Sequence, residues 1–245
     1  MALGFGWKAR IGHLYPSGGL CDYEPQAMAP DGVQFVTTRM SFQSTSLEDY
    51  AAFTQDIEAH ARLLADAEVQ LIAFNCTAVS LVIGPDAINQ RIKDATGIAS
   101  TTTIEAVLAA LAAARLRRFA LLTPYPPEVV AAETAFFQAR GHEVVAAAGL
   151  PCGTPVAQGT IPPSRWRELA HGLSSTDCDG LLISCAGIQL ADTLATIEHD
   201  FRRPVIASNQ ALVWHCLRLL GISDRSTHYG ALLQGQFDTP LPSLT

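Results

Sequence analysis

The sequence predicts an α/β protein of two pseudo-symmetric halves, each a parallel, doubly wound sheet covered by helices. Three observations carry this. Short apolar runs alternate with helix-period segments along the chain, which is the pattern of βα units in a parallel sheet. The pattern restarts near residue 117: Arg10-Ile-Gly-His-Leu-Tyr-Pro is matched by Arg118-Phe-Ala-Leu-Leu-Thr-Pro, Leu71-Ile-Ala-Phe-Asn-Cys by Gly180-Leu-Leu-Ile-Ser-Cys, and Ile98-Ala-Ser by Ile206-Ala-Ser. The spacing is kept as well. Cys76 lies 66 residues after Arg10 and Cys185 lies 67 after Arg118; Ala99 lies 23 after Cys76 and Ala207 lies 22 after Cys185. An internal match of this length marks a repeated half-domain.

Each element follows from its residues. Residues 10–16 form a strand that ends in the turn Pro16-Ser17-Gly18-Gly19, and 33–38 form a second strand. Ser46 is placed to cap a helix with Glu48 and Asp49 in its first turn, where acids suit the helix dipole. Tyr50, Phe53, Ile57, Ala61 and Leu64 give that helix an apolar stripe. Residues 69–75 form a strand, with Cys76 next. Gly84-Pro85-Asp86 opens a helix that Gly97 closes. A short strand at 98–102 leads into an Ala- and Leu-rich helix, 104–115. The second half has a strand at 118–125, a helix from Pro126-Pro127 to Gly141, and a strand at 143–148. A loop over 151–163 precedes a helix at 164–173. A strand at 180–184 is followed by Cys185, then come a helix at 189–199, a strand at 204–208 and a helix at 210–220. The tail after Ser223 reads as irregular. Residues 1–116 together with a C-terminal return, 212–245, make the first half, and 117–211 make the second.

The bulk composition narrows the function. The formal net charge is −7 and no Lys or Arg run stands out. Nucleic-acid affinity comes from clustered cations, so a nucleic-acid partner is not expected. No apolar run is long enough to span a bilayer, and the opening Met-Ala-Leu-Gly-Phe-Gly-Trp lacks the apolar stretch of a secretory signal. The expected setting is cytoplasmic, away from membranes; assembly into a homo-oligomer is left open. The six cysteines and seven histidines show no metal-ligand spacing, and Gly18-Gly19 is too short for a dinucleotide-binding fingerprint. The chain is therefore expected to work without metal or organic cofactor.

Taken singly, a buried cysteine is a small hydrophobe. That reading suits Cys21, Cys152, Cys178 and Cys216. Cys76 and Cys185 differ because each follows a strand at the same place in its half. Open α/β sheets bind ligands at the carboxyl ends of their strands. A pseudo-two-fold aims the two thiols at one cleft between the halves. Backbone N–H groups after a strand end lower a thiol pKa, so both are candidate nucleophiles or bases. The N–H groups of Thr77, Ala78, Ala186 and Gly187 are placed to hold carboxylate oxygens and an enediolate. Ser17 and Gly18 hold, after the first strand of the first half, the place that Tyr125 holds in the second, and are candidates to bind the other carboxylate. Arg39 is either a bidentate carboxylate partner or a structural salt bridge. Asn209 either reaches the site or caps the last helix. His215, inside that helix beside Trp214, reads as packing.

Asn75-Cys76-Thr77, Ser184-Cys185-Ala186-Gly187, Ser208-Asn209-Gln210-Ala211 with Trp214-His215, and Thr96-Gly97-Ile98 leading to Thr101-Thr102-Thr103 resemble the aspartate/glutamate racemase superfamily. The maleate cis–trans isomerase and arylmalonate decarboxylase branches are the nearest in pattern. The resemblance implies two flavodoxin-like halves, an active site in the cleft between them, no cofactor, and two opposed thiols flanking a small carboxylate. It also implies that Tyr125 hydrogen-bonds a substrate carboxylate. In the isomerases the first cysteine attacks a double bond and the second supplies a proton; in the decarboxylases the first is Gly. Retention of Cys76, with Arg39 in Thr38-Arg39-Met40, resembles the isomerases. The first turn departs from their Pro-Ser-Ser-Asn pattern, which puts an amide contact there, and the substrate, in doubt. The leading expectation is a maleate isomerase-like enzyme in which Cys76 adds and Cys185 moves the proton. The alternatives are a decarboxylase using Cys185, an amino-acid or hydantoin-type racemase, and a small-carboxylate binding protein.

Overall fold

The computed structural model describes residues 5–45 and 49–238. The first half runs β1 (Ala9–Pro16), α1 (Glu24–Met28), β2 (Val33–Met40), α2 (Asp49–Phe53), α3 (Ile57–Ala65), β3 (Leu71–Phe74), α4 (Thr77–Ile83), α5 (Pro85–Thr96), β4 (Ser100–Thr102) and α6 (Thr103–Ala113). The second runs β5 (Arg118–Thr123), α7 (Pro127–Gln138), β6 (Glu143–Gly149), α8 (Pro155–Gly159), α9 (Pro163–Gly172), β7 (Gly180–Ile183), α10 (Leu194–Phe201) and β8 (Val205–Ala207). Two helices follow, α11 (Ser208–Leu219) and α12 (Gly230–Leu233).

The two sheets are all-parallel and share one topology, β2-β1-β3-β4 and β6-β5-β7-β8. Gly12 pairs with Val36 and Ile72; Leu121 pairs with Ala147 and Leu182. The inner strands β3 and β7 are buried at every residue, which is why they read as unbroken apolar runs rather than alternating ones. Helix α5 stops at Gly97, whose φ of 71° is left-handed and suits a residue without Cβ. Helix α6 starts in a capping box between Thr102 and Glu105. One core cluster joins Leu14, Phe74 and Cys76 to Leu122, Ile183 and Cys185, so it runs through both halves.

The structure departs from the sequence reading in six places, two of them helices it did not name, α1 and α4. The helix expected from Ser46 is two helices, α2 and α3, with Thr54–Asp56 between them; Ser46 and Glu48 lie outside the described residues. Its stripe of Tyr50, Phe53, Ile57, Ala61 and Leu64 is buried all the same. The 151–163 segment contains α8, which starts at Pro155 and is capped by Thr154 Oγ1 accepting the Ala157 N–H. Helix α10 begins at Leu194, five residues later than the pattern suggested. The tail holds α12, where Ala231 N–H donates to Glu198. Helix α11 leaves the second sheet from β8 yet packs against α6 and α1 of the first half. Among the described residues, no helix is long and apolar enough to cross a membrane.

Candidate active site

Both strand-end cysteines open onto one cavity. Cys76 is the N-cap of α4, extended at φ −147° and ψ 106°, with the Val79 N–H near its sulfur but no side-chain cap bond formed. A thiol is thus in the place that a Ser or Asp oxygen usually takes at a helix start. Cys185 follows β7. The Gly187 N–H donates to its Sγ at 3.1 Å, and the Tyr125 hydroxyl hydrogen-bonds the same sulfur. Three more groups close the space: Phe42 and Tyr50 from the first half and Gln158 on α8. The cavity is about 30 Å³, room for about two water molecules.

Burial decides the ionisation of these thiols. The low pKa expected at a strand end is not found. Desolvation pushes Cys76 up to about 12, and the single N–H from Val79 offsets only part of it. Cys185 is pushed up further by burial, against the lowering effect of Gly187 and Tyr125, and a charge on Cys76 raises it again. Burial therefore holds both thiols neutral in the substrate-free protein. Desolvation also raises Tyr125, which stays a hydrogen-bond donor.

Of the residues singled out from sequence, Thr77, Ala78, Tyr125, Ala186 and Gly187 line the cavity beside the cysteines. Thr77 Oγ1 donates to Ser208 Oγ at 3.0 Å, and Ser208 Oγ accepts the Cys185 N–H at 3.1 Å. One hydroxyl pair thus ties the two cysteine loops together. Ser17, Gly18, Arg39 and Asn209 are not in the cavity wall. Ser17 Oγ accepts the Phe42 N–H at 3.0 Å, and a Cβ at Gly18 would meet Phe42 O at 2.8 Å, so both hold the turn against the chain after β2. Arg39 pairs with Asp22 at 3.1 Å and donates to the carbonyls of Ser17 and Gly19. Its partners spend the fork on the outer side of the first turn, which leaves the structural salt bridge of the two readings.

Asn209 does not cap α11, because Ala207 is its N-cap residue. Its side chain is buried between the halves instead. Nδ2 donates to Ala186 O and Oδ1 accepts from Asn75 Nδ2, each at 3.0 Å. Asn75 Nδ2 also reaches His13 Nε2 at 3.0 Å, and His13 Nδ1 meets Thr37 Oγ1 at 3.0 Å. Burial lowers the His13 pKa to about 4, which keeps the ring neutral; Nε2 then accepts and Nδ1–H donates. This chain of amides runs from the residue before Cys76 to the residue after Cys185.

The sequence reading missed Tyr15, Phe42, Thr45, Tyr50 and Gln158, all in the cavity wall. Tyr15 ends β1, so the strand-end position was its signal; its hydroxyl donates to Ala186 O and accepts the Cys21 N–H. It also missed Glu24, buried on α1, whose carboxylate accepts the N–H groups of Leu190 and Ala191 at 3.0 Å beyond Cys185. Among the described residues, no cluster of three or more His, Cys, Asp or Glu side chains forms a metal site.

Comparison with known proteins places this geometry. The arylmalonate decarboxylase family matches residues 11–233. An arylmalonate decarboxylase of Bordetella bronchiseptica is 28% identical over 214 residues, covering 84% of this chain and 88% of its own. A maleate isomerase of Nocardia farcinica is 27% identical over 241 residues, 92% of this chain and 95% of its own. The crystal structure of a cysteine-to-serine mutant of Nocardia farcinica maleate cis–trans isomerase, with a covalently bound succinylcysteine intermediate, superposes with a TM-score of 0.86 at 23% identity. It covers 92% of this chain and 98% of that one.

Proposed function

The chain belongs to the arylmalonate decarboxylase family, and from that premise we propose that it is a two-cysteine isomerase of a small unsaturated dicarboxylate, with maleate to fumarate as the model reaction. One observation carries the reading: Cys76 and Cys185, the two strand-end thiols, share one cavity.

The Cys76 thiolate adds to one alkene carbon. The π pair moves to the other carbon and its carboxylate, as an enediolate. The first N–H groups of α4, which lack intrahelical partners, and the Ala186 N–H beside the cavity are the donors for the developing negative charge. Cys185 gives its proton to the second carbon, and the new single bond rotates. The Cys185 thiolate then removes a proton, the double bond re-forms in the trans geometry, and the C–S bond breaks to restore the Cys76 thiolate. Tyr125, hydrogen-bonded to Cys185, positions that thiol and remains a donor throughout. The succinylcysteine in the Nocardia farcinica isomerase supports the addition step. The site residues in this scheme are Cys76, Cys185, Thr77, Ala78, Tyr125, Ala186 and Gly187. The halves we assign are 1–116 with 212–245, and 117–211. Six free thiols support a reducing, cytoplasmic setting.

The family name favours a second reading, decarboxylation of a substituted malonate with Cys185 as sole proton donor. One experiment separates the two: the purified protein is offered maleate and phenylmalonate in parallel, without added metal or cofactor, and product is followed by proton NMR. Fumarate from the native chain, lost in Cys76→Ala, supports isomerisation. Carbon dioxide loss from phenylmalonate that survives Cys76→Gly, with no fumarate from maleate, overturns it.

A further inference from the structure

The cavity wall contains one polar side-chain group that no described residue satisfies. Gln158 is only 4% exposed, and its Nε2 is buried without a hydrogen-bond partner among the described residues. Its Oε1 lies 3.6 Å from Cys185 Sγ and is held close to Gly187, where an added Cβ would sit 3.1 Å away. Since Oε1 and Nε2 belong to one carboxamide, the unpaired NH₂ is beside the same thiol. The backbone around it is anchored: Gln158 N–H donates to Thr154 O, and its own carbonyl accepts from Ile161. A buried amide left with two idle donors destabilises a fold, and ordinary packing replaces it with an apolar side chain. The neighbouring lining from the first half, Phe42 and Tyr50, shows that apolar residues are accepted here.

We propose that Gln158 determines specificity, by donating from Nε2 to an oxygen on the substrate arm that lies on the Cys185 side. The substrate class that follows is a small carboxylate with a second acceptor, a dicarboxylate above all, rather than a monocarboxylate. An alkyl end in that place would leave the NH₂ unpaired and desolvated. The inference rests on the two-cysteine cavity of the proposed function and adds which substituent it selects. Sites built to hydrogen-bond a substrate group reject analogues that lack it more strongly than apolar pockets reject a missing methylene.

Succinate and butyrate test this, because they share a carbon chain and differ by one carboxylate. Each is titrated as a protectant of Cys76 and Cys185 against iodoacetamide at pH 9, in native protein and in Gln158→Met, with peptide mass spectrometry as readout. In the native chain succinate should half-protect at a concentration about ten- to a hundred-fold below butyrate, the range of a hydrogen bond to a charged group. In Gln158→Met the two should converge, and the melting temperature should hold or rise because an idle buried amide is gone. Equal protection by both acids in the native chain, or a preference kept in Gln158→Met, overturns the proposal. A fall in melting temperature would assign the amide to the fold and overturn it too. The assay needs no turnover: a succinate preference without maleate isomerisation would retain this subsite and reject the proposed reaction.

Discussion

Raising pH in an alkylation experiment probes the central electrostatic feature of the site. Burial moves the Cys76 thiol from an ordinary 9.0 to about 12. At pH 7.5 an ordinary cysteine is ionised to a few per cent, and Cys76 about a thousand-fold less, because each pH unit of displacement is a factor of ten. The sign is that of a raised acid: the neutral thiol is favoured over a wider range, and the thiolate grows tenfold per pH unit until pH approaches 12. The assay is the rate of iodoacetamide labelling of Cys76 in the substrate-free protein between pH 7 and 9.5. Peptide mass spectrometry follows the rate, with an unstructured cysteine peptide as reference. The expected log-rate plot has a slope of one with no plateau, while the peptide bends near its own pKa. A midpoint at or below 8.5 would refute the reasoning, because the Val79 N–H would then outweigh desolvation. The result also bears on catalysis. A dicarboxylate bound between the two sulfurs would change the solvation that raises the thiol.

Cys185→Ala keeps the nucleophile and removes the proton donor; incubation with maleate should add the mass of one maleate to the Cys76 peptide, and an unmodified peptide would exclude the addition step. Asn209→Ala breaks both of its 3.0 Å bonds, to Asn75 and Ala186; urea unfolding should show a loss of about 2 kcal/mol at unchanged slope. Glu133 is buried, accepts from Ser184 Oγ, and is raised from 4.5 to about 8. Its folded form holds a proton that the unfolded form releases, so its contribution is full below pH 4.5 and is lost as pH rises to about 8. Glu133→Gln should flatten the stability profile in that window, by about 1.4 kcal/mol per pH unit at most; an unchanged profile would place the carboxyl in water.

How much of this was legible depended on the kind of signal. The sheets were readable because β3 and β7 are apolar at every residue and recur at a fixed offset. The cysteine pair was readable for the same reason: the repeat marks equivalent strand ends. Gln158 and Tyr50 were not, since each sits on a helix that reaches the cavity through tertiary packing, and no local pattern marks which face does so. Arg39 and Asn209 show the converse. Their chemistry suits a carboxylate, but a guanidinium and an amide serve carbonyls equally well, and only the distances to Asp22, Ser17, Gly19 and Ala186 decide it. The thiol pKa values were read in the wrong direction because a strand-end position reveals the nearby N–H groups and conceals how little water reaches them.

Helix α11 carries an implication for how the protein is made. Its Leu212, Val213, Cys216 and Leu217 cover Ile104, Val107, Ala110 and Leu111 of α6. The ribosome releases α6 about a hundred residues before its cover. During that interval the first half has its sheet but an uncovered greasy flank, a surface of the kind that recruits chaperones or neighbouring nascent chains. Completion of both halves is thus postponed to one late event, the emergence and docking of α11. A ribosome-bound chain halted before residue 208 should be far more sensitive to protease and to aggregation than one released beyond α12.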